Sequence, residues 1–275
     1  MGSNSQDDRE QEWSCCNDEQ SLFLFLYMAF AILAVVFSYS MIARPVRMIA
    51  TFIHEMGHAC ACWLTGGYVR AIKVFENEGG VTEYAGGCRC LIIPAGYVGT
   101  SFFAMIFVAL SGGRRTATAV AVIFTVALLV SLCYSPNQTT VYLNLGYAVL
   151  MTAFIFIEWF WITPILQYVI LFFGVSIGII AIQSIHSDTI LRALKGSDSY
   201  ACSEEVWTGC NPKCIGLQWA VLAIFFQLLG MWLALVEMSN ECEDLGWFEC
   251  LHLSVDFDFE LGDNFDFDGF WHNGP

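Results

Sequence analysis

The stretch of this 275-residue chain best suited to chemistry is His54-Glu55-Met56-Gly57-His58, inside an apolar segment. Residues four apart on a helix project from one face, so the two imidazoles would lie one turn apart. Such a pair suits two ligands of a tetrahedral Zn²⁺. Glu55 would stand beside the metal without binding it, where a carboxylate can accept a proton from a zinc-bound water. The spacing predicts His54 and His58 as metal ligands and Glu55 as general base.

A simpler interpretation is a helix whose two histidines hydrogen-bond neighbouring carbonyl groups. Its weakness is location, because two imidazoles and a carboxylate within one membrane segment are costly and such groups are functional by default.

A catalytic zinc also needs a third protein ligand and one open coordination position. Few acidic residues lie in or beside the apolar segments. Asp188, at the end of a long apolar stretch, is the first candidate for the third ligand, and Glu158 is the second. His186 lies near Asp188 and could orient it or replace it. For either carboxylate, capping a helix at the membrane interface is the alternative role.

The composition indicates a membrane protein. The chain is 57% hydrophobic and 13% charged, whereas soluble domains carry about 25% charged residues. We expect an all-α polytopic protein with about six or seven transmembrane helices of about 20 residues each. The net charge of −15 comes from acidic chain ends, and no Lys or Arg follows Lys213. Nucleic-acid binding is excluded, because no basic patch could neutralise phosphates.

Three domains follow from the distribution of polar and apolar residues. Residues 1–20 are polar and acidic, and 239–275 form an acidic, aromatic tail, so both ends are predicted to be disordered. Residues 21–238 are predicted to form the membrane domain. Apolar segments that predict its helices lie at 21–43, 48–64, 91–110, 116–134, 141–161, 165–186 and 215–238. If every segment crossed the bilayer, His54 and Asp188 would lie at opposite faces, so a shared site requires a re-entrant segment or a different arrangement of 141–186.

A β-hairpin is predicted directly after the HEMGH helix. VRAIKVF and VTEY are β-prone runs that flank ENEGG, whose Gly-Gly pair can supply the positive φ of a hairpin turn. A hairpin this polar should lie at the surface or against protein rather than lipid. It could hold an extended peptide by β-addition, or it could be an ordinary connecting loop.

The segment 91–110 begins with small residues on one side. Pro94, Ala95, Gly96, Gly99 and Ser101 leave that side nearly free of side chains. Small residues let a neighbouring helix approach closely. The HEMGH helix is the candidate neighbour.

Taken together, these segments resemble the site-2-protease clan of intramembrane zinc metallopeptidases, in particular its short peptidase family fifty-B-like branch. The resemblance covers roughly residues 45–235 in the family's order. It is carried by HEMGHA at 54–59, GGVTEY at 79–84, PAGYVGTSF at 94–102, YVILFFGV at 168–175, QSIHSD at 183–188 and GSDS at 196–199.

The resemblance implies a bundle of transmembrane helices with a site below the membrane surface. It implies zinc ligation by His54 and His58, a general-base role for Glu55, and a transmembrane or membrane-associated protein as substrate. Site-2 proteases take their third ligand from an Asp-Gly element on a later membrane helix. The Asp-Gly pair in this chain is Asp268-Gly269, in the acidic tail.

Two functions of different classes therefore stay open. One is an intramembrane zinc metalloprotease. The other is a catalytically inactive, protease-like membrane adaptor that binds membrane-protein partners. A transporter with helices broken near Pro94 and Pro164 ranks below both, because no internal repeat is visible.

Overall fold

The computed structural model describes residues 17–161, 164–191 and 196–238 of the chain. The disorder predicted for the two chain ends therefore falls almost entirely outside the described residues. The exception is the short stretch from residue 17 to 20, where the first helix already begins at Asp18.

Contacts within the chain divide it into two units. The large unit, Leu22–Ala234, contains every candidate site residue. The small unit combines Met1–Ser21 with Leu235–Pro275. Within the small unit, the side-chain amide of Gln20 donates a hydrogen bond to the carbonyl oxygen of Leu235 at 2.9 Å.

The described elements are helices, with one β-hairpin after the second of them. In chain order they are α1 (Asp18–Phe37), α2 (Arg44–Leu64), β1 (Tyr68–Val74), β2 (Gly80–Ala85), α3 (Arg89–Ile92), α4 (Ala95–Leu110), α5 (Arg114–Ser131), α6 (Gln138–Trp161), α7 (Ile165–Ser184), α8 (Asp198–Glu205) and α9 (Pro212–Glu237). A 3₁₀ turn (Leu132–Tyr134) follows α5, and a π-helical segment (Ile185–Leu191) continues α7.

Five of these helices, α1, α5, α6, α7 and α9, are long and apolar enough to cross a membrane. The described residues thus confirm the predicted all-α polytopic architecture with a small hairpin. Helix α4 is apolar but has 16 residues, which makes it about 24 Å long against a hydrocarbon core of about 30 Å. The length of α4 therefore does not favour full crossing by every apolar segment, the condition that would separate His54 from Asp188.

One apolar core joins α2, the hairpin and helices α4 to α7. Phe52 of α2, Ile72 of β1 and Leu128 of α5 are among its fully buried side chains. The hairpin strands run antiparallel, from Tyr68 opposite Ala85 to Val74 opposite Gly80. Its inner face packs against helices, as expected for strands that cannot face lipid.

The hairpin turn is fastened to the N-terminal part of α2. The Arg47 guanidinium donates two hydrogen bonds to the Glu78 carboxylate, each 2.7 Å long. Thr51 donates its hydroxyl to the Glu78 carbonyl at 3.0 Å. Hydrogen bonds from Arg47 hold the pKa of Glu78 below its usual value. The positive φ of the turn, 67°, lies at Glu78 and not at Gly79 or Gly80 as the sequence predicted. Such a φ costs roughly 1–2 kcal/mol for a residue with a Cβ, and the contacts with Arg47 and Thr51 stabilise Glu78 in it.

Helices α2 and α4 approach each other backbone to backbone. A Cβ on Gly57 would overlap the carbonyl oxygen of Ala95, and a Cβ on Gly99 would lie 3.2 Å from the Gly57 Cα. The small residues of the 91–110 segment therefore do face the HEMGH helix, as the sequence predicts. This contact determines how near the two histidines lie to the start of α4.

A buried carboxylate connects the helices on the other side of the bundle. Glu158 of α6 is 5% exposed. It accepts a hydrogen bond from the Leu166 backbone N–H at 2.9 Å and one from the Arg114 guanidinium at 3.1 Å. The Glu158 side chain thus satisfies the backbone N–H of Leu166 in the first turn of α7.

We expect Glu158→Ala to lower the free energy of unfolding by about 1–3 kcal/mol, because it leaves the buried Leu166 N–H without an acceptor. Glu158→Gln should cost less, since an amide oxygen can still accept that bond. Thermal unfolding in detergent micelles would measure both, with the exposed Glu204→Gln as control. A Glu158→Ala midpoint equal to that of wild type would contradict the assigned role.

Candidate metal centre

Two imidazoles of α2 and one carboxylate of α8 converge on a single point. The Nε2 atoms of His54 and His58 are 3.2 Å apart. Oδ2 of Asp198 lies 3.1 Å from the first and 3.3 Å from the second. In the described part of the chain, these three residues form the group of ligand-type side chains close enough to share a metal ion.

The separations fit one tetrahedral zinc ion. Ligand atoms about 2.0–2.1 Å from a tetrahedral zinc are about 3.3 Å from one another. Oδ2 of Asp198 is buried and accepts no hydrogen bond from the described residues. A buried carboxylate oxygen without a hydrogen-bond donor, facing two imidazole nitrogens, is the arrangement a shared cation stabilises.

The second nitrogen of His58 determines which atom is free to bind. Its Nδ1 lies 2.7 Å from the carbonyl oxygen of Ile92. A carbonyl oxygen only accepts hydrogen bonds, so Nδ1 carries the proton. In the neutral ring Nε2 then presents its lone pair to the cluster, as metal-bound histidines commonly do.

The start of α4 forms the wall behind both imidazoles. A Cβ on Gly96 would lie 2.5 Å from the His58 Nε2 and 2.6 Å from the His54 Nε2. The next residue, Tyr97, packs its ring edge-on against His54, with ring centres 4.5 Å apart. Only glycine fits at position 96 without moving the rings.

The hairpin supplies the surroundings of Glu55. This carboxylate is 5% exposed, and the Thr82 hydroxyl lies 2.7 Å from its Oε2. A Cβ on Gly80 would lie 2.5 Å from its Oε1. The segment GGVTEY therefore places the Thr82 hydroxyl and the side-chain-free backbone of Gly80 against the Glu55 carboxylate.

Asp198 reaches the histidines because α8 packs next to the start of α4. Cys202 of α8 is buried in a cluster with Tyr97 and Trp219. At the end of α8, Glu205 binds the Arg89 guanidinium through two contacts of 2.6 and 2.8 Å.

The other ligand candidates from the sequence lie elsewhere. Asp188, expected as the third ligand, is outside the three-residue group, and its Oδ2 accepts a hydrogen bond from the Tyr97 hydroxyl at 3.3 Å. Glu158 belongs to the contact between α6 and α7, and His186 is exposed. The structure brings Asp198 to the position expected for Asp188.

The sequence carried one signal for Asp198. It is the acidic residue of GSDS at 196–199, one of the segments that carry the family resemblance. Asp198 begins a separate short helix within a polar stretch, and not an apolar helix of the kind that made Asp188 and Glu158 candidates.

The cluster opens into a cavity of about 430 Å³, a size typical of ligand sites. His54, His58 and Asp198 line it together with Glu55, and residues of β2 form part of the wall. Asp188 and Tyr97 lie in the same wall. The cavity therefore combines a potential cation site with a carboxylate that can accept a proton.

A comparison with protein families gives one match. The family described as Peptidase M50B-like matches residues 25–233, which include the cluster and all five apolar helices in whole or in part. No curated protein and no solved structure matches the chain.

We expect Gly96→Ala to reduce zinc affinity at least tenfold, because the added methyl group displaces both imidazoles. Competition with a chromogenic chelator would measure the affinity. Gly146→Ala is the matched control, since a Cβ there meets no atom within 4 Å. Equal zinc affinities for the two variants would show that position 96 does not determine the geometry of the cluster.

Proposed function

Since the chain belongs to the Peptidase M50B-like family of site-2-protease-like metallopeptidases, we propose that it is an intramembrane zinc metalloprotease. Its substrate would be a peptide bond of a transmembrane or membrane-associated protein. The convergence of His54, His58 and Asp198 beside Glu55 carries this proposal. The five apolar helices support an integral, multi-pass position in the lipid bilayer.

His54, His58 and Asp198 would hold the zinc in the wall of the cavity. The set of two imidazoles and one carboxylate is typical of catalytic zinc sites. The chemistry that a bound zinc would supply is polarisation of the substrate carbonyl and a water whose pKa is lowered to about 7. The proton on the His58 Nδ1 and the Ile92 carbonyl keep that imidazole in its binding orientation.

Glu55 would act as the general base. Its burial keeps the carboxylate out of bulk water, and the Thr82 hydroxyl fixes its orientation. A base must lie within hydrogen-bond reach of the proton it accepts. Glu55 follows His54 directly in α2 and lines the same cavity, which supports this role.

The hairpin would hold the substrate in an extended form. A helical peptide bond is shielded from attack, so a helical substrate must unwind locally. Strand β2 pairs with β1 alone within the described residues, and Gly80, Val81 and Thr82 line the cavity. The unpaired edge of β2 can add an extended peptide through backbone hydrogen bonds.

Metal analysis of the purified protein tests the ligand set. We expect one zinc per wild-type chain and a loss of zinc affinity of at least tenfold in His54→Ala and in Asp198→Asn. Asp188→Asn removes a carboxylate from the same cavity and should retain the zinc. Loss of zinc from Asp188→Asn with retention in Asp198→Asn would restore Asp188 as the third ligand.

Catalysis is tested separately from metal binding by Glu55→Gln. This variant should keep its zinc, because Glu55 is not a ligand, and should lose at least 100-fold in kcat, because the general base is gone. Cleavage of a fluorescent single-span peptide in micelles would measure it. Zinc without cleavage in wild type would instead support the membrane adaptor, and unchanged cleavage by Glu55→Gln would refute the mechanism.

A further inference from the structure

Four carboxylates line the cavity, and three of them have a cationic side chain or the proposed zinc site beside them. Glu78 is paired with Arg47, and Asp198 faces the two histidines of the cluster. Glu55 accepts the Thr82 hydroxyl and would lie beside the zinc. The fourth carboxylate, Asp188, is paired with no cationic side chain in the described part of the chain.

The contacts of Asp188 are two hydroxyl groups. Tyr97 donates to its Oδ2 at 3.3 Å, and Ser187 donates to its Oδ1 at 2.9 Å. Hydroxyl groups orient a carboxylate but do not neutralise it. Arg89, the guanidinium of the described residues in this cavity wall, is already bound by Glu205. Within the described residues, the negative charge of Asp188 on the cavity wall therefore has no cationic partner.

One side chain, that of Tyr97, connects Asp188 to the cluster of His54, His58 and Asp198. The Tyr97 ring packs against His54, and its hydroxyl reaches Asp188. The carboxylate thus stands one tyrosine side chain away from the metal ligands. A substrate group bound by Asp188 would therefore be a side chain of a residue near the cleaved bond, and not the carbonyl group that reacts.

We propose that Asp188 binds a cationic side chain, lysine or arginine, of the substrate close to the cleaved bond and so contributes to sequence specificity. This inference rests on the proposed protease function. A charge-assisted hydrogen bond to a carboxylate is about twice as strong as a neutral one. Transmembrane proteins supply such residues, because Lys and Arg concentrate at the cytoplasmic ends of their spans.

A second metal ion is a weaker explanation of the same charge. Among the described residues, the group able to share a metal ion is His54, His58 and Asp198. Asp188 has no such companions and would offer a metal ion a single carboxylate. An ammonium or guanidinium group needs one carboxylate and hydroxyl neighbours, and both are present.

Matched peptides test the proposal. A single-span reporter peptide carries one lysine at each position around the cleavage site in turn, and a parallel series carries norleucine, which has the same length without the charge. At one position, we expect wild type to cleave the lysine peptide with a kcat/KM about tenfold or more above that of the norleucine peptide. In Asp188→Asn this ratio should fall towards one, and in Asp188→Glu it should stay above one.

Two controls separate specificity from folding. Glu204→Gln removes a carboxylate that is exposed and outside the cavity wall, and it should keep the wild-type ratio. Zinc content and the thermal midpoint of Asp188→Asn should match wild type. An unchanged lysine-to-norleucine ratio in Asp188→Asn overturns the proposal. Equal loss for both peptides overturns it too, since Asp188 would then only position Tyr97.

A binding measurement keeps the inference distinct from the proposed function. Zinc-loaded Glu55→Gln should bind the lysine peptide about tenfold or more tightly than the norleucine peptide, and Glu55→Gln with Asp188→Asn should bind both equally. Fluorescence anisotropy would measure the two affinities. Discrimination in binding with no cleavage by wild type would reject the protease function and keep the cation site. Equal binding of both peptides by Glu55→Gln would reject the site itself.

Discussion

The close contact between α2 and α4 is the constraint on which the site depends. Gly57 lets the HEMGH helix approach the backbone of Ala95, and Gly96 provides the space that the two imidazoles occupy. With larger residues at these positions, the rings would be pushed away from α4. Packing between small residues is how helices in membranes come close. Here it also creates the room in which a metal can be bound.

The HEMGH helix also places the polar carboxylate of Glu55 in an apolar core, and the hairpin stabilises it there. A buried carboxylate such as Glu55 is costly unless it is hydrogen-bonded. Thr82 supplies the donor, and Arg47 with Glu78 holds the hairpin turn against α2. The hairpin is therefore part of the site, although it contributes no metal ligand. It can serve the site because it lies against helices and not against lipid.

Asp188 and Asp198 show how two similar carboxylates acquire different surroundings. Asp198 begins a short helix whose far end is held by Arg89, and it faces both histidines. Asp188 continues α7 through a π-helical segment and meets Tyr97 instead. The Tyr97 side chain contacts His54, a potential metal ligand, and Asp188, a potential substrate contact. Asp188 and Asp198 are only ten residues apart in the chain, and this separation does not indicate that their surroundings differ.

The sequence by itself determined the local features. The spacing of His54 and His58 and the small residues at the start of α4 each follow from residue type and helix geometry. The Gly-Gly pair indicated the place of the hairpin turn, but the positive φ lies at Glu78 and not at either glycine. The family resemblance, now supported by the match over residues 25–233, followed from the same segments. Only the tertiary structure decided which carboxylate meets the histidines. Asp198 lies 140 residues beyond His58, and such a pairing depends on how α8 packs against α4, which no local pattern encodes.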